Sequence, residues 1–440
     1  MKKIILALVL LCALNPLSSF AKQSETVLID AETIAWLREM ADPLLKTADI
    51  DPKTVNIYVV KSNEINAFVT PDRDIFFYSG LILKATSAEE IQGVLAHEIG
   101  HIKGQHYIKT LANSDKGKIP VVLGTILGAG VAILGGGGEA ATALISGGIA
   151  VSQDQYLRNS RSHERQADTI AAELLNKNNR STQGLISFFD KLRTSNLLYS
   201  KTPPAWLVTH PLPRERISSM QGLLKNEKIA PLPPLSNMRF KRVQAKLNAF
   251  TMPGGYNLRK YAYQKTEDAL YAQALSLALK GRIDTAMALV QTMNPERSSM
   301  PFHHELLGQL YQDKSEYLKA EQEFKSALEI NPDLEFIRLQ LAQNCIIREE
   351  YDEAIKHLHI VSSIHPTWSA IVRSLGIAYG KKGNLFESHI YLAKAAVLAE
   401  KTQDIEIHLQ LAEKNMDKTN KKQQERLDNI KEILSHVKKS

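Results

Sequence analysis

The chain has 440 residues, 44% hydrophobic and 23% charged, with a formal net charge of +7 from 54 Lys and Arg against 47 Asp and Glu. That is the composition of an ordinary globular protein, long enough for two or three domains. The positive excess is small; the stretch from Lys414 onward, with eight basic and four acidic residues, reads as a solvated helix face, and nothing points to nucleic acid.

Residues 1–21 stand apart from the fold. Lys2 and Lys3 precede an apolar run from Ile4 to Leu14, and Ser19 and Ala21 supply small residues at a cleavage point. This is the pattern of a secretory signal peptide, and the run is too short for a membrane span. Leu11 before Cys12 is wrong for a lipoprotein, so cleavage is expected after Ala21. Loss of two lysines lowers the charge from +7 to +5, and Cys345 alone remains, so the mature chain has no internal disulfide.

Residues 31–48 read as a helix. "VNIYVV" at 55–60 is rich in β-branched residues and reads as a strand, and "AFVT" and "IFFYSG" give two more around the turn "PDRD". Next comes "GVLAHEIGHIKGQHY", from Gly93 to Tyr107. Its apolar stripe of Ile91, Val94, Leu95, Ile99 and Ile102 predicts a helix, with Glu89 and Glu90 near its positive end. His97 and His101 lie four apart, on one face, and can aim two imidazoles at one ion. Glu98 is placed as the general base of an HExxH site. His106 falls one residue short of the third-ligand position of HExxHxxGxxH, where Tyr107 stands, and is assigned behind the ligands or at the surface.

Residues 119–152 hold two apolar halves around Gly135–Gly138, each too short to span a bilayer. They are expected to form a helical hairpin near the site, either packed on the domain or touching a membrane surface or barrel protein. In "NSRSHERQADTIAAELL", Asn159 to Leu175, Glu164 and Asp168 are again four apart on a helix. Glu164 completes a His-His-Glu site for one zinc ion, and Asp168 can fix the tautomer of a ligand histidine.

These pieces resemble a known family. "NAF" at Asn66–Phe68, "SGLI" at Ser79–Ile82, "HEIGH", "SRSHERQAD" and "THPLPRERI" at Thr209–Ile217 run in the order of the HExxH gluzincin proteases, which include the membrane-embedded CAAX-processing enzymes and their soluble bacterial relatives. The resemblance covers about residues 30–220. It implies that the edge strand at Asn66, Ala67 and Phe68 pairs with extended substrate. It implies a role for His210 too, either stabilising the oxyanion or binding zinc as a fourth ligand. Arg216 either stabilises developing charge or makes a structural ion pair, and Asp168 is also allowed a proton-donor role.

Pro203, Pro204, Pro211 and Pro213 punctuate the loop carrying His210; a helix is expected at 214–225, and "APLPPLSN" at 230–237 reads as a linker. A repeat follows. Ile283, Tyr317, Tyr351 and Leu385 are each 34 apart, as are Ala286, Ala320, Ala354 and Ser388, and Gly308, Ala342 and Gly376. Small residues at a helix crossing on that period mark tetratricopeptide repeats. Four units are expected at about 267–300, 301–334, 335–368 and 369–402, with a capping helix near 403–437.

The expected architecture is mainly α with a small β-sheet: a gluzincin-type zinc metalloprotease domain with linker at 22–264, then an α-solenoid of tetratricopeptide repeats at 265–440. The resemblance implies a Gram-negative periplasmic metalloendopeptidase acting on unfolded or misassembled polypeptides, above all outer-membrane β-barrel proteins, with the barrel assembly machinery as partner of the repeats. A different class of function fits the second half alone: a chaperone or docking protein with little constitutive proteolysis.

Overall fold

The structure is a computed structural model, and it describes residues 26–106, 153–199, 206, 210, 214–224, 234–252, 255–293, 300–399 and 401–437. The expected signal peptide and the hairpin at 119–152 lie outside the described residues. Among those described, no helix is long and apolar enough to cross a membrane. Contacts divide the chain into two compact units between Lys280 and Gly281.

The first unit is built around a four-stranded sheet in the order β1-β2-β4-β3: β1 Thr26–Leu28, β2 Ile57–Lys61, β3 Ala67–Val69 and β4 Ile75–Tyr78. β2 and β4 are parallel; β1 on β2 and β3 on β4 are antiparallel. Residues 57–60 and all of β4 are buried, which explains their nearly unbroken apolar runs. The strand expected at 75–80 stops at Tyr78. Ser79 exchanges hydrogen bonds with the backbone of Ser62 and opens helix α2, Ser79–Lys84. β1 was not expected from the sequence.

Helix α1, Ala31–Thr47, starts on Asp30, whose carboxylate accepts from the Thr33 amide. Helix α3, Ala88–Lys103, carries HExxH, with Ser87 as its N-cap and Glu89 and Glu90 in the first turn. Against it pack α4, Gln153–Lys177, and α5, Gln183–Tyr199. Glycines set both distances. A Cβ on Gly93 would lie 2.6 Å from the Leu185 amide nitrogen, and one on Gly100 would lie 2.7 Å from the Ala167 carbonyl oxygen. The two glycines are seven apart, on one face of α3, so the helices on either side approach backbone to backbone.

Helix α6 is Arg214–Leu224. The linker expected at 230–237 is partly helical instead: Pro234 opens α7, Pro234–Thr251, at the first helical position, where its missing N–H costs nothing. α8, Tyr256–Lys260, follows, and α9, Glu267–Leu279, packs on α7 and α8 through Ala245, Tyr261, Ala269 and Ala272.

The second unit is helical hairpins. α10 is Ile283–Gln291, and the pairs α11 Pro301–Asp313 with α12 Tyr317–Ile330, α13 Glu335–Ile347 with α14 Tyr351–Ile364, and α15 Ser369–Lys381 with α16 Leu385–Leu398 follow. First helices begin at 301, 335 and 369, and second helices at 283, 317, 351 and 385, so the 34-residue spacing of the sequence is a spacing of structure. Ala286, Ala320, Ala354 and Ser388 are all buried. Cys345 is a free thiol in this core, pushed up to about 11 by burial, which makes it inert as a nucleophile. The single capping helix expected at 403–437 is two, α17 Thr402–Lys414 and α18 Lys421–Val437. Asp417 accepts from Thr419 in the turn between them, and Asn420 accepts from the amides of Lys422 and Gln423 at the new start.

Candidate metal centre

His97 and His101 lie on α3, Glu164 on α4, and His210 follows Trp206 in the segment ahead of α6. All four side chains are buried or nearly so, and one ligand atom from each lies within 4.8 Å of the others. The Nε2 atoms of His97 and His101 are 3.1 Å apart, and each is 3.4 Å from a Glu164 carboxylate oxygen. His210 Nδ1 is 3.4 Å from His97 Nε2 and 3.2 Å from Glu164 Oε1. Around a tetrahedral zinc with bonds of about 2.0–2.1 Å, neighbouring ligand atoms are about 3.3 Å apart. The residues fit a four-ligand metal centre in donor type and in spacing.

The charges fit as well. Glu98, Glu164 and Asp168 face one guanidinium, Arg216, all buried, leaving two negative charges for a divalent cation to balance. Burial works against a charged His97, but Asp168 and Glu164 outweigh it and lift its pKa to about 9. Burial and the neighbouring histidines hold His101 well below its ordinary value, against the pull of Glu164. Burial alone would raise Glu164, yet His210, Arg216 and His101 hold it well below the usual carboxylate range. Burial raises Glu98, and both its oxygens are buried with no hydrogen bond among the described residues; His210 Nε2 stands 3.8 Å from one of them.

Asp168 sits behind His97, not His101: its Oδ1 is 3.1 Å from His97 Nδ1. Arg216 donates from Nε and Nη2 to the same carboxylate at 2.7 and 2.8 Å, and its Nη1 is 2.8 Å from Glu164 Oε2. Burial would raise Asp168; Arg216 and His97 together hold it below its ordinary value, so it stays ionised. That suits an orienting group and disfavours a proton donor. Arg216, expected either to stabilise developing charge or to make an ion pair, ties Asp168 and Glu164 together.

β3 lies at the edge of the sheet and holds Ala67 and Phe68; Asn66, expected in the same strand, stands just before it. The Tyr78 amide donates to the Asn66 carbonyl, and Phe68 stands opposite Phe76. The alternation of an antiparallel ladder therefore turns the N–H and C=O of Ala67 and Val69, both buried, to the side away from β4, and those of Asn66 and Phe68 toward β4. A cavity of about 250 Å³ opens past the end of β3, lined by Val69, Thr70, His101 and Lys103.

Two features were missed in the sequence. Trp206 stacks on His210 with ring centroids 4.2 Å apart, and its amide donates to the Ile65 carbonyl, anchoring the His210 segment beside the edge strand. Gln166 and His106 meet behind His101. His106, rejected as a ligand, is buried there and not at the surface. A proline-bounded Trp four residues before a histidine was a weak signal for the first; the Gln166 contact had none.

The description "Peptidase family M48" matches residues 31–224. Over 351 residues the chain is 23% identical to the "Beta-barrel assembly-enhancing protease" of Yersinia pestis, covering 78% of this chain and 72% of that one. It is 26% identical to the "Putative beta-barrel assembly-enhancing protease" of Vibrio cholerae, covering 49% of this chain and 43% of that one. It is 31% identical to the "Metalloprotease YcaL" of Escherichia coli, covering 39% of this chain and 65% of that one. The chain thus spans most of one of these relatives and less than half of another.

Proposed function

We propose that residues 31–224, which match peptidase family M48, form a metalloendopeptidase domain, and that this chain is a zinc enzyme of the periplasm, exported by residues 1–21, which cleaves misassembled outer-membrane β-barrel proteins and aids their assembly. The observation that carries the chemistry is the convergence of His97, His101 and Glu164 at tetrahedral-edge distances beside the carboxylate of Glu98, which makes no hydrogen bond among the described residues. The barrel substrate rests on the names of the Yersinia and Vibrio relatives. The helical hairpins from 301 onward are read as tetratricopeptide repeats that dock the barrel assembly machinery.

His97, His101 and Glu164 would hold the ion, and bound zinc supplies Lewis acidity toward water and the scissile carbonyl. Ala67 and Val69 pair their outward N–H and C=O groups with an extended substrate, a mode open to any unfolded chain. The cavity past β3 accepts one substrate side chain. Glu98 takes the proton of the attacking water on its carboxylate and delivers it to the leaving nitrogen. Burial raises its proton affinity toward what that exchange needs. Asp168, held by Arg216, keeps the Nδ1 proton on His97 and its Nε2 lone pair toward the ion.

Glu98→Gln tests this. The amide keeps the shape and removes the base, so zinc content stays and casein or unfolded-barrel cleavage falls by about 10²–10⁴-fold. Near-normal cleavage by this variant would sink the mechanism.

A second reading has its own observation. His210 Nδ1 stands at tetrahedral-edge distance from His97 Nε2 and Glu164 Oε1, and as a fourth ligand it would leave a bound zinc no position for water. On this reading the chain rests in a latent state, acts mainly through its repeats as a chaperone or docking protein, and cleaves only when the His210 segment withdraws.

A further inference from the structure

We propose that His106 is a positioning residue for the metal centre, and that Gln166, His106 and His101 form a relay in which each group fixes the tautomer of the next. This rests on the reading of His101 as a metal ligand. His106 is 3% exposed, and its Nδ1 lies 3.0 Å from His101 Nδ1. Its Nε2 lies 3.1 Å from Gln166 Oε1, on α4, two residues after Glu164. The ring of His163 stacks on it, centroids 4.6 Å apart and planes within 8°.

The direction of every hydrogen follows from one requirement. A ligand His101 presents a lone pair on Nε2, so its proton is on Nδ1. That N–H points at His106 Nδ1, which must then be an acceptor and carry no proton. His106 then carries its proton on Nε2, where the carbonyl oxygen of Gln166 stands 3.1 Å away to accept it. Reversing any one step reverses all of them and leaves a proton on His101 Nε2, where the ion would sit.

The two ligand histidines of α3 are thus oriented by different chemistry. His97 leans on a carboxylate fixed by Arg216, and His101 on a neutral imidazole fixed by an amide. An imidazole acceptor fixes the ring without adding a fourth buried negative charge to the three already there. The spacing from His101 to His106 is five, so α3 ends in between: Gly104 closes the helix, and Gln105 takes φ 52, which swings His106 back behind His101.

The test is zinc affinity of the full chain by chelator competition, with the absorption spectrum of the Co²⁺-loaded protein as a second readout. His106→Phe keeps a ring against His163 and removes the acceptor; affinity should fall about 10–100-fold and the Co²⁺ bands should shift. His106→Asn places an amide oxygen where Nδ1 stands and should recover most of the loss. Wild-type affinity and spectrum in His106→Phe would overturn the relay, as would equal losses in the Phe and Asn variants. Should His106→Phe fail to fold, Gln166→Leu at an exposed position decides in its place: an unchanged affinity overturns the relay, and a fall supports it. Glu164→Ala in the same assay separates the two levels. If it too leaves affinity unchanged, the metal centre itself is wrong and the relay falls with it.

Discussion

The two units of this chain use buried polar groups in opposite ways. In the first, His97 and His210 are 113 positions apart in sequence and 3.4 Å apart in space, in a cluster with three carboxylates and Arg216. In the second, buried polar groups meet across one period: Gln340 donates to Glu305, Gln309 to Gln340, and Gln312 to Asn344. The repeat unit satisfies itself locally, hairpin on hairpin, so its stability is close to a sum over neighbours. The metal centre draws its residues from distant segments and concentrates negative charge that Arg216 offsets only in part. Damage to one should change chemistry, and damage to the other should change little beyond the hairpin that bears it.

Titration of the chelated chain breaks or sharpens that contrast most strongly. Without an ion, His97 has its pKa lifted from 6.5 to about 9. A raised folded-state pKa contributes stability that is full below 6.5 and lost as pH climbs through 9, about 3 kcal/mol in all. On the acid side Glu164 and Asp168, both depressed, contribute stability that is lost as pH falls below their ordinary values of 4.5 and 3.8. In the repeat unit burial lowers His357, His359, His389 and His408, which gives a slope on the other side: stability lost as pH falls below 6.5. Those histidines are partly exposed, so that slope is the weaker. Because burial also holds His101 of the first unit below its ordinary value, both transitions weaken below 6.5 and the difference lies above it: calorimetry from pH 6.5 to 9 should show the first unit's transition weakening while the repeat unit's holds, and two transitions moving together there would contradict the division.

His210→Ala asks whether the closed tetrahedron restrains the enzyme. The geometry predicts a rise in basal proteolysis, on the order of tenfold if the closed state is favoured by about 1.4 kcal/mol. If His210 stabilises the oxyanion instead, turnover falls by about 10²–10³-fold. The sign of one turnover measurement separates the two, and no change removes both.

What the sequence disclosed follows the same contrast. The repeats were legible because one period writes itself at several positions at once, and the helix starts keep it. HExxH and the Glu164–Asp168 pair were legible because four residues is one helical turn, so a spacing in sequence is a direction in space. The parallel pairing of β2 with β4 was not, because strands buried on both faces carry no alternation and a crossover leaves no turn signature. Trp206 on His210 and Gln166 on His106 were not either, since a contact between distant segments has no period. Nothing in the sequence singled out Gly100 within HEIGH, although its lack of a side chain is what brings α4, with Glu164, close to the histidines.

That glycine gives the last and smallest test, and the repeats supply its control. A Cβ on Gly100 would meet only backbone of Ala167: its oxygen at 2.7 Å, its Cα at 3.1 Å and its carbonyl carbon at 3.3 Å. None of these can rotate away, so α3 and α4 must separate. Overpacking costs about 1–3 kcal/mol and the gain in helix propensity returns about 1, a net loss of about 1 kcal/mol for Gly100→Ala. The same movement pulls Glu164 from the histidines, so zinc affinity should fall with it. A Cβ on Gly376 would lie 2.7 Å from Leu392 Cγ and 3.1 Å from its amide nitrogen, mostly against a side chain that can shift. One period earlier the same position is already Ala342, in one core cluster with Leu358, the counterpart of Leu392. The fold accommodates alanine there, so Gly376→Ala should be neutral or stabilising by up to about 1 kcal/mol and leave zinc affinity unchanged. Paired melts and zinc titrations of the two variants give the comparison. Equal destabilisation, or a fall in zinc affinity with Gly376→Ala, would show that the repeats are not as locally self-sufficient as their period implies.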